Sequence, residues 1–471
     1  MSRGAQIAKN AVALTMSKVG TMGLNFAVWV HFARVLEPEG VGVLTFGLSL
    51  LSYFLVAVAL GFDPIGVREI ARDHARVPGL TRTMLGARLA LCAVALPAYI
   101  LLVLALPQPP QAQRVLLILS GLLVTRAIRL DWVYEGVERM GTIAYRDVGT
   151  SFVVAAGAFT FVREPDHVVW AAIALVAAPV LSNVALLVAY VREHGIPWPT
   201  FEREAWMALL IPAIPLATSS FVSEIYYSLD KVMLEFLRST EEVGLYGIAH
   251  KVLSLAIAPA SVLAPAFFPA LSSAVANPEE RVRRGTDHAH MLLMCGLPVA
   301  AAGVVLAPGL VESLFGAEYA DAIPALRLLL VNAGIVYASM AYGLPLMAWD
   351  RQIFYMRAVL AGGVANVILN LALIGPFGIV GAAIATTGSA AIVFVGMAYG
   401  YYQITERLHG SLWLRSALAA VFGAGLPAAA AVATGLPFWI TVPLLVLTTL
   451  VALRAVGLVS MDLVRSVLAR P

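Results

Sequence analysis

Five cations stand in stretches of this chain that are otherwise apolar: Lys18, Arg126, Arg129, Lys231 and Lys251. A charge at bilayer depth costs at least ~2.5–3.5 kcal/mol, so each of them needs a partner or a wet cavity. The chemistry such groups offer is anion binding. Arg126 and Arg129 are three residues apart. On one helix they share a face and present two guanidinium forks to a phosphate. Asp131 and Glu135 follow closely, so a charge-paired helix end is the alternative. Ser220, Glu224, Tyr227 and Lys231 recur at spacings of 4, 3 and 4, which is one face of a helix. Asp230 sits beside that face, and Glu235 lies four residues past Lys231. A stripe of this kind lines water, meets another polar stripe, or pairs internally to fix helix packing. Glu224 and Asp230 are the acids placed to neutralise part of the positive charge and to couple its movement to a protonation switch. Thr15, Lys18 and Asn25 form a third face; for Lys18 the competing reading is a side chain that snorkels to the interface. His250 and Lys251 come next, with Ser254 one turn on. His250 reads as a hydrogen-bonded packing residue or as a group titrating near neutral pH. A cavity lined by Lys18, Asn25, Arg126, Arg129, Lys231 and Lys251 would attract an anion.

The elements that must position these groups are long apolar runs. The spans are 10–33, 40–61, 83–106, 115–136, 143–162, 168–191, 207–236, 243–270, 288–307, 325–347, 354–374, 378–402, 416–434 and 437–457. Each is about 20 residues or longer, enough to cross the ~30 Å hydrocarbon core of a bilayer. Pro/Gly joints separate them, among them Pro38-Glu39-Gly40, Pro107-Gln108-Pro109-Pro110 and Gly375-Pro376. Strands are excluded as spanning elements, because an open sheet edge is unsatisfied in lipid. The expected fold class is therefore an all-α polytopic membrane protein of fourteen helices.

Composition agrees. The 471 residues are 60% hydrophobic and 13% charged, with mean hydropathy +0.86, against about 25% charged residues in soluble domains. The basic residues are sorted by side: about 21 of them fall on alternate joints and about 5 on the others, a bias that places both termini in the cytoplasm. The sparse side holds Arg34, Arg114, Arg163, Arg238 and Arg327. A basic balance here sets topology and does not imply nucleic acid. Cys92 and Cys295 lie far apart in apolar runs and offer neither a structural disulfide nor metal-ligand spacing. The first helix reads as uncleaved rather than as a signal peptide. No phosphate loop, HExxH or nucleophile elbow is present, and no cofactor is expected.

The chain also matches itself. Shifted by 202 residues, Glu39-Gly40-Val41-Gly42-Val43 falls on Glu241-Glu242-Val243-Gly244-Leu245, and Leu51-Ser52 on Leu253-Ser254. This places span 2 on span 8. Six spans per half is an even number, so the two halves insert the same way up, about an axis along the membrane normal. The expected organisation is an N-lobe over 1–195, a cytoplasmic joint over 196–206, a C-lobe over 207–403, and two further spans with a tail over 404–471.

Several stretches, in order, resemble the Wzx-like polysaccharide-lipid flippases of the multidrug/oligosaccharidyl-lipid/polysaccharide (MOP) exporter superfamily. They are Ala33-Arg34-Val35-Leu36-Glu37-Pro38-Glu39-Gly40-Val41-Gly42, Leu60-Gly61-Phe62 with Arg68-Glu69-Ile70-Ala71, and Asp131-Trp132-Val133-Tyr134-Glu135-Gly136. Further on come Asp230-Lys231-Val232-Met233-Leu234, Phe268-Pro269-Ala270-Leu271-Ser272, Phe315-Gly316-Ala317-Glu318-Tyr319 and Phe377-Gly378-Ile379-Val380-Gly381. The resemblance covers residues 1 to about 400; the last two spans agree in count and hydrophobicity alone. It implies two six-helix lobes around a central cavity. The implied substrate is an oligosaccharide on a polyprenyl diphosphate, moved to the outer leaflet of the inner membrane. The implied partners are that lipid-linked glycan, membrane lipid, a polysaccharide polymerase and a chain-length regulator. The rival readings are a lipid II flippase, a multidrug or cation antiporter of the same superfamily and, more remotely, a membrane polymerase or ligase. A cation exporter would line its cavity with acids more than bases. A polymerase or ligase would need a larger outer loop than this chain offers.

Overall fold

A computed structural model describes residues 3–458. The side chains of 3–16 lie outside the description, Thr15 among them, as does the tail from 459 onward. Among the described residues there are helices and no strands. The helices are α1 Arg3–Ala59, α2 Phe62–Arg72, α3 Val77–Ala105, α4 Pro110–Leu119, α5 Gly121–Ala127, α6 Asp131–Gly136, α7 Met140–Phe161, α8 Val168–His194 and α9 Arg203–Leu237. Then follow α10 Thr240–Ala266, α11 Phe268–Ser273, α12 Pro278–Leu314, α13 Ile323–Ala348, α14 Gln352–Thr405, α15 Gly410–Ala420, α16 Leu426–Ala433 and α17 Phe438–Ala455. Nine helical stretches among the described residues are long and apolar enough to cross a membrane. Two of them hold two expected spans each. In α1 the break is at Glu37 (φ 58°, ψ 174°), just before Pro38. In α14 it is at Gly378 (φ 55°, ψ −134°), two residues past Pro376. Gly378 occupies backbone space that a side chain would exclude.

Span 4 is where the structure departs from a single continuous helix. It is three short pieces, α4, α5 and α6, interrupted at Ser120 and over 128–130. Ile128 and Leu130 have left helical geometry. The consequence for the site is direct: Arg126 and Arg129 do not share one helical face.

The chain divides into two compact units, 1–244 and 245–471. In the first unit α7 and α9 pack along α1, α8 packs on α7 and α4, and α2 packs on α6. Its core centres on Phe62, Ile65, Met84, Trp132, Leu209 and Ala213. Alternation of apolar and charged positions explains α2: Phe62, Ile65, Gly66 and Ile70 are buried, while Arg68 and Arg72 on the opposite side pair with Glu69. In the second unit α12, α13 and α14 form the centre, and α15 and the helical segment after it pack on α12. There the joint residue His409 shares a ring nitrogen with the Tyr401 hydroxyl at 2.9 Å. Burial, and then the nearby Arg407, push the pKa of its imidazole down from the ordinary histidine value.

The internal repeat has a structural counterpart. A Cβ on Gly42 would lie 1.9 Å from the carbonyl oxygen of Thr240, and a Cβ on Gly244 would lie 1.9 Å from that of Pro38. Gly42 and Gly244 are 202 positions apart, and so are Pro38 and Thr240. Each glycine therefore meets the backbone four residues before its own repeat mate. This is the reciprocity of a two-fold contact, formed inside the first unit at the sequence that matches itself.

Candidate functional site

The break in span 4 builds the most charged region of the first unit. Asp63, in the first turn of α2, receives two guanidinium groups. One is Arg88 of α3; the other is Arg126 of α5, at 2.8 Å. Arg88 is 1% exposed, and its second nitrogen donates to the carbonyl of Arg129 at 3.0 Å. That carbonyl lies in the non-helical break over 128–130, outside both α5 and α6. The Arg129 guanidinium turns instead to Asp131 at the start of α6. Asp131 is also held by Arg146 of α7 at 2.6 Å, and Arg146 reaches Asp147 at 3.0 Å. Five helices thus contribute to one run of alternating charge.

The run is tight but incompletely satisfied. Asp131 is buried, and its Oδ1 has no hydrogen-bond partner; the Nε atoms of Arg88 and Arg146 are likewise buried and unpartnered. Buried ions left in this condition hold the charge in place at a cost. Arg126 and Arg129 keep 21% and 39% of their side chains accessible, so an incoming anion can reach both. Lys18 is exposed and makes no ion pair among the described residues. It lies within electrostatic reach of Glu135 and Asp147. Its helix is fastened to α7 by the Ser17 hydroxyl on the Ala144 carbonyl at 3.2 Å and by Asn25 Nδ2 on the Ser151 hydroxyl at 3.4 Å. Arg146 also lines a groove of 430 Å³ between α7 and α8, with Thr142, Thr150 and Ser182 among apolar neighbours.

The stripe on α9 is a second group in the same unit. Ser220 is exposed, Tyr227 is 59% exposed, and Asp230 and Lys231 are buried. Lys231 pairs with its neighbour Asp230 at 3.1 Å and donates to the Tyr227 carbonyl. Glu224 accepts from the Ser228 hydroxyl at 2.5 Å. Tyr53 of α1 is within electrostatic reach of both acids, and its hydroxyl is buried without a partner. Farther along, Glu235 accepts from Gln108 at 2.9 Å and Thr240 at 2.8 Å. Lys251 lies half-buried on α10 in the second unit.

The structure thus gathers Lys18, Arg126 and Arg129 around one network, with Asn25 on the adjoining α1–α7 contact, and sets Glu224, Asp230 and Lys231 apart on α9. Sequence reasoning missed Asp63, Arg88, Arg146 and Asp147. Arg88 carried a signal, since it stands five residues inside span 3, where a charge is costly. The second unit holds an uncharged buried cluster that was also missed. Asn370 donates to Asn366 at 3.0 Å, Asn366 to Ser389 at 3.2 Å, and the Tyr246 and Thr386 hydroxyls meet at 3.2 Å.

Comparison with known proteins places this architecture. A family profile described as polysaccharide biosynthesis protein matches residues 7–275. The probable low-salt glycan biosynthesis flippase Agl15 of Haloferax volcanii is 23% identical over 420 residues, covering 84% of this chain and 86% of that protein. A second protein of the same organism, the probable flippase AglR, is 32% identical over 174 residues, 34% of this chain and 35% of its own length. Among solved structures, the lipid II flippase MurJ in an inward closed conformation superposes with a TM-score of 0.70 at 14% identity. That match covers 98% of this chain and 100% of the other. An inward-facing multidrug resistance MATE transporter of the MOP superfamily gives 0.64 at 18% identity, covering 84% and 98%. With over half of its length matched by the family profile, the chain belongs to the polysaccharide biosynthesis protein family, and it carries the fold of the MOP-superfamily flippases and exporters.

Proposed function

We propose that this protein is an inner-membrane flippase for an oligosaccharide carried on a polyprenyl diphosphate. It moves that lipid from the cytoplasmic to the outer leaflet by alternating access coupled to an ion, with both termini cytoplasmic. The observation that carries this reading is the guanidinium network. Arg88, Arg126, Arg129 and Arg146 lie among apolar helices, two of them still accessible, and beside them is Lys18, which makes no ion pair among the described residues. The diphosphate is the costly part of such a lipid to carry through hydrocarbon. An accessible guanidinium exchanges a carboxylate oxygen for a phosphate oxygen with little change in geometry. The isoprenoid chain stays in lipid, and the glycan travels in water. The glycan biosynthesis flippase name of Agl15 points to the same substrate class.

In this reading Lys18, Asn25, Arg126, Arg129, Lys231 and Lys251 line the substrate path. Glu224 and Asp230 serve ion coupling, each already engaged with a hydroxyl or an ammonium that a change of protonation would release. The lobes are 1–195 and 207–403 about the joint 196–206, and 404–471 is accessory. The glycine crossing at Gly42 and Gly244 closes the outer side and must part for release. A preponderance of bases over free acids disfavours a drug-cation exporter. Transport, not catalysis, is the activity, with a polymerase and a chain-length regulator downstream.

The test is a set of single substitutions, Lys18→Ala, Arg129→Ala, Lys231→Ala and Lys251→Ala, expressed in a deletion host. Surface glycan should fall at least about tenfold for Lys18→Ala and Arg129→Ala, the loss expected when a charged hydrogen-bonding partner is removed. Membrane levels should stay unchanged. Normal surface glycan in every variant at normal membrane level would refute the cationic path.

A further inference from the structure

Every carboxylate of the guanidinium network is held except one. Asp63 has Arg88 and Arg126, Asp131 has Arg129 and Arg146, and Asp147 has Arg146. Glu135, one turn past Asp131 on α6, is half-buried, and its carboxylate makes no hydrogen bond or ion pair among the described residues. Its surroundings are nonetheless charged from every side. Asp131 lies on its own helix, Asp63 on α2, Arg129 just before α6 and Lys18 on α1. Helix α7, packed against α6, brings Arg146 and Asp147. With all groups ionised, the five cations Lys18, Arg88, Arg126, Arg129 and Arg146 outnumber the four carboxylates by one. A proton on Glu135 makes the excess two without breaking a bond.

We propose that Glu135 is a second proton-binding site of this transporter, separate from Glu224 and Asp230 on α9, and that it loads with the diphosphate. The proposal rests on the preceding reading of the network as a diphosphate site. An anion arriving at Arg126 and Arg129 adds negative charge next to Glu135 and makes its protonated form more favourable. Thermodynamic reciprocity then requires that a protonated Glu135 raise the affinity for the anion by the same factor. Asp63, Asp131 and Asp147 are unsuited to this role, because taking a proton would cost each of them an arginine partner. Glu135 gains or loses a proton while the arginines stay in register.

The test uses purified full-length protein in nanodiscs with farnesyl diphosphate as the probe, titrated calorimetrically at about pH 6 and about pH 8 in two buffers of different ionisation enthalpy. The wild type should bind roughly five- to hundredfold tighter at the lower pH, the usual range of coupling between sites, and take up protons as it binds. Glu135→Gln should bind at both pH values with only the pH dependence of the ligand itself, which is common to both proteins. Glu135→Asp should restore part of the difference. If Glu135→Gln keeps the wild-type pH dependence and proton uptake, Glu135 is not the carrier, while the diphosphate site stands. If the wild type binds farnesyl diphosphate at neither pH, the diphosphate reading itself fails, and this proposal with it.

Discussion

Replacing Gly244 with leucine should abolish export of surface glycan while leaving the protein in the membrane. The Cβ of any larger residue there would sit 1.9 Å from the Pro38 carbonyl oxygen, and at Gly42 it would meet the Thr240 carbonyl at the same distance. These obstacles are backbone, so no rotamer change relieves them, and the crossing must open. Overpacking in a well-packed interior costs about 1–3 kcal/mol, and a fixed carbonyl puts the cost at the upper end or beyond. The crossing would then stay apart in every state. The contacts are repeat mates, which gives a sharper expectation. Gly42→Ala and Gly244→Ala open the same crossing, so the double variant should cost less than the sum of the singles. Thermal unfolding of detergent-solubilised variants measures the cycle. Additive costs would mean two independent contacts and no shared pivot.

Removing Arg88 should be the most damaging single loss of charge. Its side chain is 1% exposed, one of its nitrogens neutralises Asp63, and another holds the free carbonyl of Arg129. Deleting one partner of a buried pair costs about 3–5 kcal/mol when the other is left alone; here Asp63 keeps Arg126, which sets that figure as the upper bound. Arg88→Met should therefore lower the melting temperature sharply. Arg139→Ala, which breaks an exposed pair with Glu193, serves as the contrast and should change stability by under about 1 kcal/mol. Equal effects of Arg88→Met and Arg139→Ala would refute the network as a structural unit.

How much of this was legible in the chain depends on what periodicity encodes. Hydrophobic runs and Pro/Gly joints report one helix at a time, and that was enough for an all-helical membrane protein and for turns such as Glu37-Pro38 and Pro376 to Gly378. The weak self-match at Gly42 and Gly244 was visible as sequence and acquired physical meaning from the reciprocal backbone contact. The pairing of charges was not legible. Asp63 and Arg88 are 25 residues apart, and no spacing rule joins them across two helices. Arg88 also read naturally as one of the cytoplasmic charges that set topology. Arg126 and Arg129 looked like a shared face because three residues make one on a continuous helix. The interruption over 128–130 occurs inside an apolar run with no glycine or proline to announce it. Glu135 appeared in the sequence as one of two acids following the arginines, and only the occupied state of its neighbours distinguishes it.

The cargo proposed for this protein is a glycan on a polyprenyl diphosphate. The most direct test is mass spectrometry of lipid extracts from the native host with this gene deleted and then restored. A polyprenyl-diphosphate oligosaccharide should accumulate on deletion and the surface polymer should disappear; the wild-type gene should reverse both changes, and Arg129→Ala should reverse neither. An unchanged pool of lipid-linked glycan, accompanied by new sensitivity to cationic drugs, would contradict it.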